Sequence, residues 1–188
     1  MSVGQTELTL EALGDAVTGE GPGFDQLCRV TGVLAGESGS RNVQSLGWRS
    51  VHPEPLTSSR LESVRQVAGW FESAEGFALL SVRPPDGRGQ ERDQITAALF
   101  GPAGAKPVAD PRLSTTYTGS DQPTRASIEL WVDTEGDGDT QYPRRAIGQA
   151  VAAPAHATAG TLALDASPFR WYSGGQEGAG IYLIGRAE

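Results

Sequence analysis

The sequence predicts an all-β protein built on one closed or nearly closed antiparallel sheet of roughly 8–10 strands. Apolar and polar residues alternate with period 2 in run after run, at intervals of about 8–15 residues. The 25 Gly and 12 Pro are spread along the chain rather than clustered, which suits short strands joined by tight turns. The chain closes on PFRWYSGGQEGAGIYLIGR, Pro168–Arg186. There, two alternating runs, Phe169–Tyr172 and Ile181–Ile184, flank a glycine cluster and read as a β-hairpin.

From the start, Glu7–Ala12 alternates Leu8 and Leu10 with polar residues and reads as a strand. Gly19–Gly23 is a turn by composition. Phe24–Ala35 carries a β-type apolar pattern, Ser38–Arg41 is a polar turn, and Asn42–Arg49 is a short strand or bend. Pro53 and Pro55 make His52–Thr57 an extended loop. Ser59–Phe71 fits two patterns. Leu61, Val64, Ala68 and Phe71 form a helical stripe, whereas Val64, Gln66, Ala68 and Trp70 form a strand face. The β-favouring residues and the β surroundings select the strand.

Gly76–Arg83 is a strand entered by the Ser73–Gly76 turn, and Pro84–Arg92 is a turn-rich loop. Gln94–Phe100 alternates Ile95, Ala97 and Leu99, and Gly101–Arg112 reads as a Pro/Gly-rich linker. Strands Leu113–Thr118 and Ala126–Val132 flank a turn at Gly119–Pro123, and Asp133–Thr140 is an acidic hairpin tip. Arg144–Ala152 and Gly160–Ala166 precede the closing hairpin.

The 188 residues fit a single domain spanning 1–188. A net charge of −8 and the absence of any basic run argue against nucleic acid and anionic membrane surfaces as partners. Cys28 is the sole cysteine, so no internal disulfide and no Cys cluster for zinc can form. MSVGQTELTL has neither a basic nor an apolar leader segment, and no run approaches membrane-spanning length. The expectation is a cytoplasmic protein with no membrane insertion.

Candidate chemistry is sparse. Gly174–Gly180 lacks the Lys-Ser/Thr and the helix that a phosphate loop needs, and reads as a hairpin turn. Asp133–Asp139 has acidic residues at alternate positions, as calcium loops do, but lacks the closing glutamate. His52 and His156 are isolated, so no metal site is expected, and no G-x-S-x-G elbow is present.

The strand Ala126–Val132 is more informative. Ile128, Leu130 and Val132 share one face; Ser127, Glu129 and Trp131 share the other. A carboxylate beside an indole in an apolar cavity would have a raised pKa and could serve as a general acid; outside a cavity it is an exposed Glu beside a half-buried Trp. Trp48, Trp70, Trp131 and Trp171, with Tyr117, Tyr172 and Tyr182, sit on separate strands. They either fill a core or line an apolar pocket.

Four stretches carry a family resemblance: FDQLCRVTG (Phe24–Gly32), the strand leading into Leu46-Gly47-Trp48, GWFESAEGFALLSVR (Gly69–Arg83), and RWYSGGQEGAGIYLIGR at the end. Their order resembles the lipocalin-like superfamily of carotenoid hydratases (hydroxyneurosporene synthase type), AttH-like proteins and fungal Diels–Alder cyclases, and within it the second barrel of these two-barrel proteins. One signature departs: where the family carries Asp-His-x-Trp-Gly, this chain reads Val43-Gln44-Ser45-Leu46-Gly47-Trp48. Acid chemistry resting on that Asp-His pair does not carry over.

The resemblance implies a single lipocalin-like barrel that holds a hydrophobic small molecule, a polyketide, polyene or terpenoid, with no cofactor. The length, one barrel where the family has two, adds the expectation of a homodimer in place of the missing half. The leading expectation is a cyclase, isomerase or hydratase, with Glu129 and Gln44 as candidate catalytic groups. Trp48, Trp70, Tyr117, Trp131, Trp171 and Tyr182 are the candidate ligand-binding residues. The alternatives are a non-catalytic carrier or sensor of the same ligand class, favoured by a pocket without inward polar groups, and a structural module with a filled core. A buried Glu129 or Glu177 would favour catalysis.

Overall fold

The computed structural model describes residues 6–18, 23–36, 39–51, 61–85, 93–102, 104–132 and 143–187. Every regular element among them is a β-strand, and every pairing is antiparallel. None is a helix long and apolar enough to cross a membrane. In chain order the strands are β1 (Glu7–Ala12), β2 (Val17–Thr18), β3 (Phe24–Gly36), β4 (Gly39–Val51), β5 (Ser63–Phe71), β6 (Gly76–Arg83) and β7 (Gln94–Gly101). There follow β8 (Gly104–Pro107), β9 (Asp110–Tyr117), β10 (Pro123–Trp131), β11 (Arg144–Ala150), β12 (Ala155–Ala159), β13 (Leu162–Ser173) and β14 (Gln176–Ala187).

The larger sheet runs β8-β7-β6-β5-β14-β13-β11-β10-β9, with β12 beside the first half of β13. Its two ends are one continuous segment. β8 pairs with β7, β9 pairs with β10, and the two residues between them bridge the gap. The Val108 N–H donates to the Ala97 carbonyl and the Ala109 N–H to the Trp131 carbonyl, each at 2.9 Å. The sheet thus curls into a barrel.

Inward-facing residues fill the middle of the barrel, among them Val67, Leu79, Ile128, Phe169, Trp171 and Tyr182. Trp171, fully buried, meets Phe77 edge-on at 5.0 Å between ring centroids, and the Phe169 ring lies 5.5 Å away. Two glycines make room for its indole. A Cβ on Gly148 would lie 2.6 Å from a Trp171 ring carbon, and one on Gly180 2.7 Å from its Cδ1. A fully packed aromatic centre needs side-chain-free wall positions facing it.

The smaller sheet has β3 at its centre, β4 on one edge and β1 and β2 in succession along the other. It lies against the outer barrel wall, where Leu27, Trp48 and Val17 meet Ala78, Ala98, Phe100 and Trp70. The small wall residues let the sheets approach: a Cβ on Gly76 would already lie 3.4 Å from Leu27 Cδ1. Farther out on this sheet, Leu8, Leu10 and Leu34 are exposed.

The structure also explains where the pattern misled. The helix-like stripe over Ser59–Phe71 arises because β5 is buried on both faces. Val67 and Phe71 face the interior, while Val64 and Ala68 are covered from outside, so strict alternation is lost. The expected linker Gly101–Arg112 contains β8 and the start of β9. The two runs read as Gly160–Ala166 and Phe169–Tyr172 join in one strand, β13, which begins at Leu162 after a turn at Gly160-Thr161. Pro168 interrupts nothing, because the edge partner changes there from β12 to β11 and its missing N–H falls at the gap. Ala155–Ala159 adds a strand the composition did not signal. The Gly174–Gly180 turn shrinks to Gly174-Gly175, whose positive φ angles of 56° and 82° suit glycine. Readings placed on Gly19–Pro22, Ser38, His52–Thr57, Asp86–Arg92 and Asp133–Thr140 lie outside the described residues.

Candidate functional site

A barrel is packed where inward side chains converge, and it opens where they stop converging. At the end formed by the close of β5, β7, β10 and β13, the interior opens into a cavity of about 560 Å³. Its floor is apolar: Phe71, Phe77, Leu99, Ile128, Leu130 and Ala146. Its rim is charged and polar: Glu75, Lys106, Arg144, Arg145, Ser173 and Gln176. Glu75 comes from the β5–β6 turn, held by hydrogen bonds from the Phe71 N–H to the Glu75 carbonyl and from the Ala74 N–H to the Phe71 carbonyl. Its carboxylate lies near the Ser73 hydroxyl (3.4 Å) and the Gln176 amide (3.5 Å), and Ser73 Oγ donates to Gln176 Oε1 at 2.9 Å. Two hairpin turns remote in sequence thus set the position of one acid at the cavity mouth.

A second concavity, an open groove of about 960 Å³, lies between the smaller sheet and the outer barrel wall. It collects Arg29, Gln44 and Leu46 from the smaller sheet with Trp70, Glu72, Arg170 and Glu177 from the barrel. Phe71 and Gln176 border both the cavity and the groove.

The sequence-derived site residues fall into separate places. Gln44 and Trp70 come together in the groove, and Trp48 packs in the cluster beside Trp70, its Nε1–H donating to Asp25 Oδ1 at 3.0 Å. Trp171 and Tyr182 are fully buried in the packed barrel centre. Trp131 is half-buried, with the Arg112 guanidinium 5.9 Å from its ring centroid. Tyr117 is exposed at the opposite end from the cavity. Glu129 faces out of the barrel and pairs with Arg145 at 2.9 Å, its side chain about a third exposed. Glu177 also faces out, 3.2 Å from Arg170. The eight residues therefore do not form one site, and neither acid lies in the buried setting that would mark catalysis.

Sequence reasoning missed Glu75, Lys106 and Gln176. The first and last sit in or beside turns and Lys106 on a short strand taken for linker, so no alternation marked them. Cys28 is buried, and burial pushes its thiol pKa up, which makes it a poor nucleophile. Among the described residues no group of three or more His, Cys, Asp or Glu is placed to hold a metal.

The far end of the barrel is polar. Asp93 accepts from Arg65 and from Arg83 Nε (2.8 Å), and Arg65 Nη2 also donates to Ser81 Oγ at 3.0 Å. The Tyr182 hydroxyl is 2.8 Å from Thr115 Oγ1. Burial first, then the neighbouring Tyr117, push its phenol well above the usual tyrosine range. Beside it, Arg186 Nη1 donates to Asp165 Oδ2 at 2.8 Å, and His156 Nδ1 lies 2.6 Å from Asp165 Oδ1. The His156 hydrogen bond, followed by that from Arg186, holds the Asp165 carboxyl below the usual range against its partial burial.

No protein-family model matches the chain, and no curated protein is similar to it in sequence. Solved structures do share its fold. CghA matches 97% of this chain with a TM-score of 0.63 at 11% identity. Kievitone hydratase from Nectria haematococca matches 97% with a TM-score of 0.51 at 9% identity. At these identities the likeness is one of fold alone. The chain spans about three fifths of each, 61% and 60%.

Proposed function

We propose that this protein is a cofactor-independent enzyme, a cyclase, isomerase or hydratase, acting on a hydrophobic polyketide or isoprenoid seated in the barrel-mouth cavity. The cavity carries this reading: a volume of about 560 Å³ with an apolar floor and a charged rim. Such a shape takes up a hydrocarbon chain by burial, at about 25 cal/mol per Å² of apolar surface. It leaves the polar end of the molecule at Glu75, Lys106 and Arg144. Confining a flexible chain in a reactive conformation lowers a barrier by up to roughly 7–11 kcal/mol through entropy paid on binding. Glu75 is the carboxylate placed to move a proton, and the rim cations are placed to stabilise an oxyanion. That a hydratase shares the fold supports the class of chemistry without specifying the reaction.

One observation favours a carrier as the second reading: Glu129 and Glu177 are both spent in outward ion pairs. Both readings use the same cavity, so one experiment separates them. The protein is incubated with a panel of linear polyenes and terpenoids, and the organic extract is examined by mass spectrometry against a boiled control and the cavity-filling variant Leu99→Trp. A product of unchanged mass, or one heavier by a water, absent from both controls, establishes the enzyme. An unchanged compound enriched on the native protein alone establishes the carrier. Identical extracts from all three samples overturn the cavity as a ligand site.

A further inference from the structure

The charged end of the barrel has an arrangement that its packing does not require. Arg65 and Arg83 both turn inward from β5 and β6 and, among the described residues, share one carboxylate, Asp93, whose side chain is 1% exposed. The guanidinium-bearing side chains are 13% and 28% exposed. Among the described residues the cluster thus holds two cations and one anion, in a setting where charge is costly unless compensated. Glu62, exposed, is the further acid whose field reaches Arg83. Tyr117 stands two residues beyond Thr115 on β9 and so on the same face, where Thr115 Oγ1 meets the Tyr182 hydroxyl at 2.8 Å, and its phenol acts on Arg83. Arg, Arg and Tyr are donors, and paired guanidinium forks match the oxygens of a carboxylate or phosphate.

We propose that this end of the barrel is an anion site, in which Arg65 and Arg83, oriented by Asp93, hold a carboxylate or phosphate group with the Tyr117 hydroxyl as a further donor. Asp93 fixes the guanidinium planes, and a bound anion adds negative charge beside them. The site lies across the packed Trp171 centre from the mouth cavity, so it stands independently of the function proposed above.

The test is thermal unfolding of the purified protein at constant ionic strength, in chloride, inorganic phosphate and hexanoate. A saturable rise in Tm is expected in phosphate or hexanoate but not in chloride, roughly 5–10 °C at about a hundredfold excess over Kd. Phosphate alone identifies a free or nucleotide-type phosphate as the ligand class, and hexanoate alone the carboxylate of an apolar acid. Arg83→Gln should abolish the rise, and Tyr117→Phe, at an exposed position that tolerates change, should weaken it several-fold in apparent affinity. Arg41→Gln, at an exposed arginine on β4 of the smaller sheet, should leave it intact. Equal Tm in the three salts overturns the proposal and makes the cluster a structural triad. A rise retained in full by both Arg83→Gln and Tyr117→Phe also overturns it.

Discussion

The same strands run through both ends of the barrel, yet the two ends are chemically opposite. On β5, Phe71 stands at the cavity and Arg65 at the far end; on β6, Phe77 is matched by Arg83. Beside them, Leu99 near the end of β7 is matched by Asp93, the residue just before that strand. All point inward. One end excludes water with hydrocarbon and leaves a space, while the other fixes two arginines on a shared, buried carboxylate. An apolar wall can yield around a guest at modest cost. A buried ion cluster cannot lose a partner without stranding a charge.

The largest expected effect tests that asymmetry directly. Asp93→Asn keeps the shape but removes the shared anion, and should cost about 3–5 kcal/mol in denaturant unfolding. A loss below about 1 kcal/mol would place the cluster with solvent-screened pairs and erase the contrast. Gly148→Ala drives a methyl into the Trp171 and Phe169 rings and should cost about 1–3 kcal/mol by overpacking. That result locates the rigid boundary between the two ends. Leu99→Trp, by contrast, should change stability little while lowering ligand recovery or turnover roughly tenfold, a loss worth about 1.4 kcal/mol of binding.

The polar end should also respond to pH at both limits. The depressed Asp165 carboxyl contributes stability that is present above the ordinary aspartate pKa of about 3.9 and is lost as pH falls through the lower folded value. The raised Tyr182 phenol works in the other direction. The unfolded tyrosine ionises first, so stability declines as pH rises past about 10. Unfolding midpoints against pH should flatten at the acid limb in Asp165→Asn and at the alkaline limb in Tyr182→Phe. The smallest effect is expected at Glu129→Gln: a change within about 1 kcal/mol, since its pair with Arg145 is screened by solvent, and unaltered turnover. A large fall in turnover would return Glu129 to the candidate site.

Much of the fold was legible because alternation is local. Ile128 and Leu130 against Glu129 were sorted correctly into two faces from the sequence. The closing hairpin was legible from its glycine pair and flanking runs. β8 and β12 were not, because four or five small and polar residues bury too little to leave a pattern. The site was less legible than the fold. Glu129 looked like a cavity acid because it neighbours Trp131, but the opposite face of the same strand is the one turned inward. Glu75, Lys106 and Gln176 gather at one mouth only because three remote connections end there.

By itself the sequence determined the β class, the two faces of most strands and the turns between them, since a pleated backbone sends successive side chains to opposite sides whatever lies beyond. Tertiary structure alone decided which face is interior, that Trp171 and Tyr182 fill the centre while Trp48 and Trp70 lie outside, and that the barrel interior is floored by hydrocarbon at one mouth and holds Arg65, Arg83 and Asp93 at the other. Those choices depend on how the sheet curls and which strands meet across it, and contacts between residues far apart in sequence leave no trace in a local period.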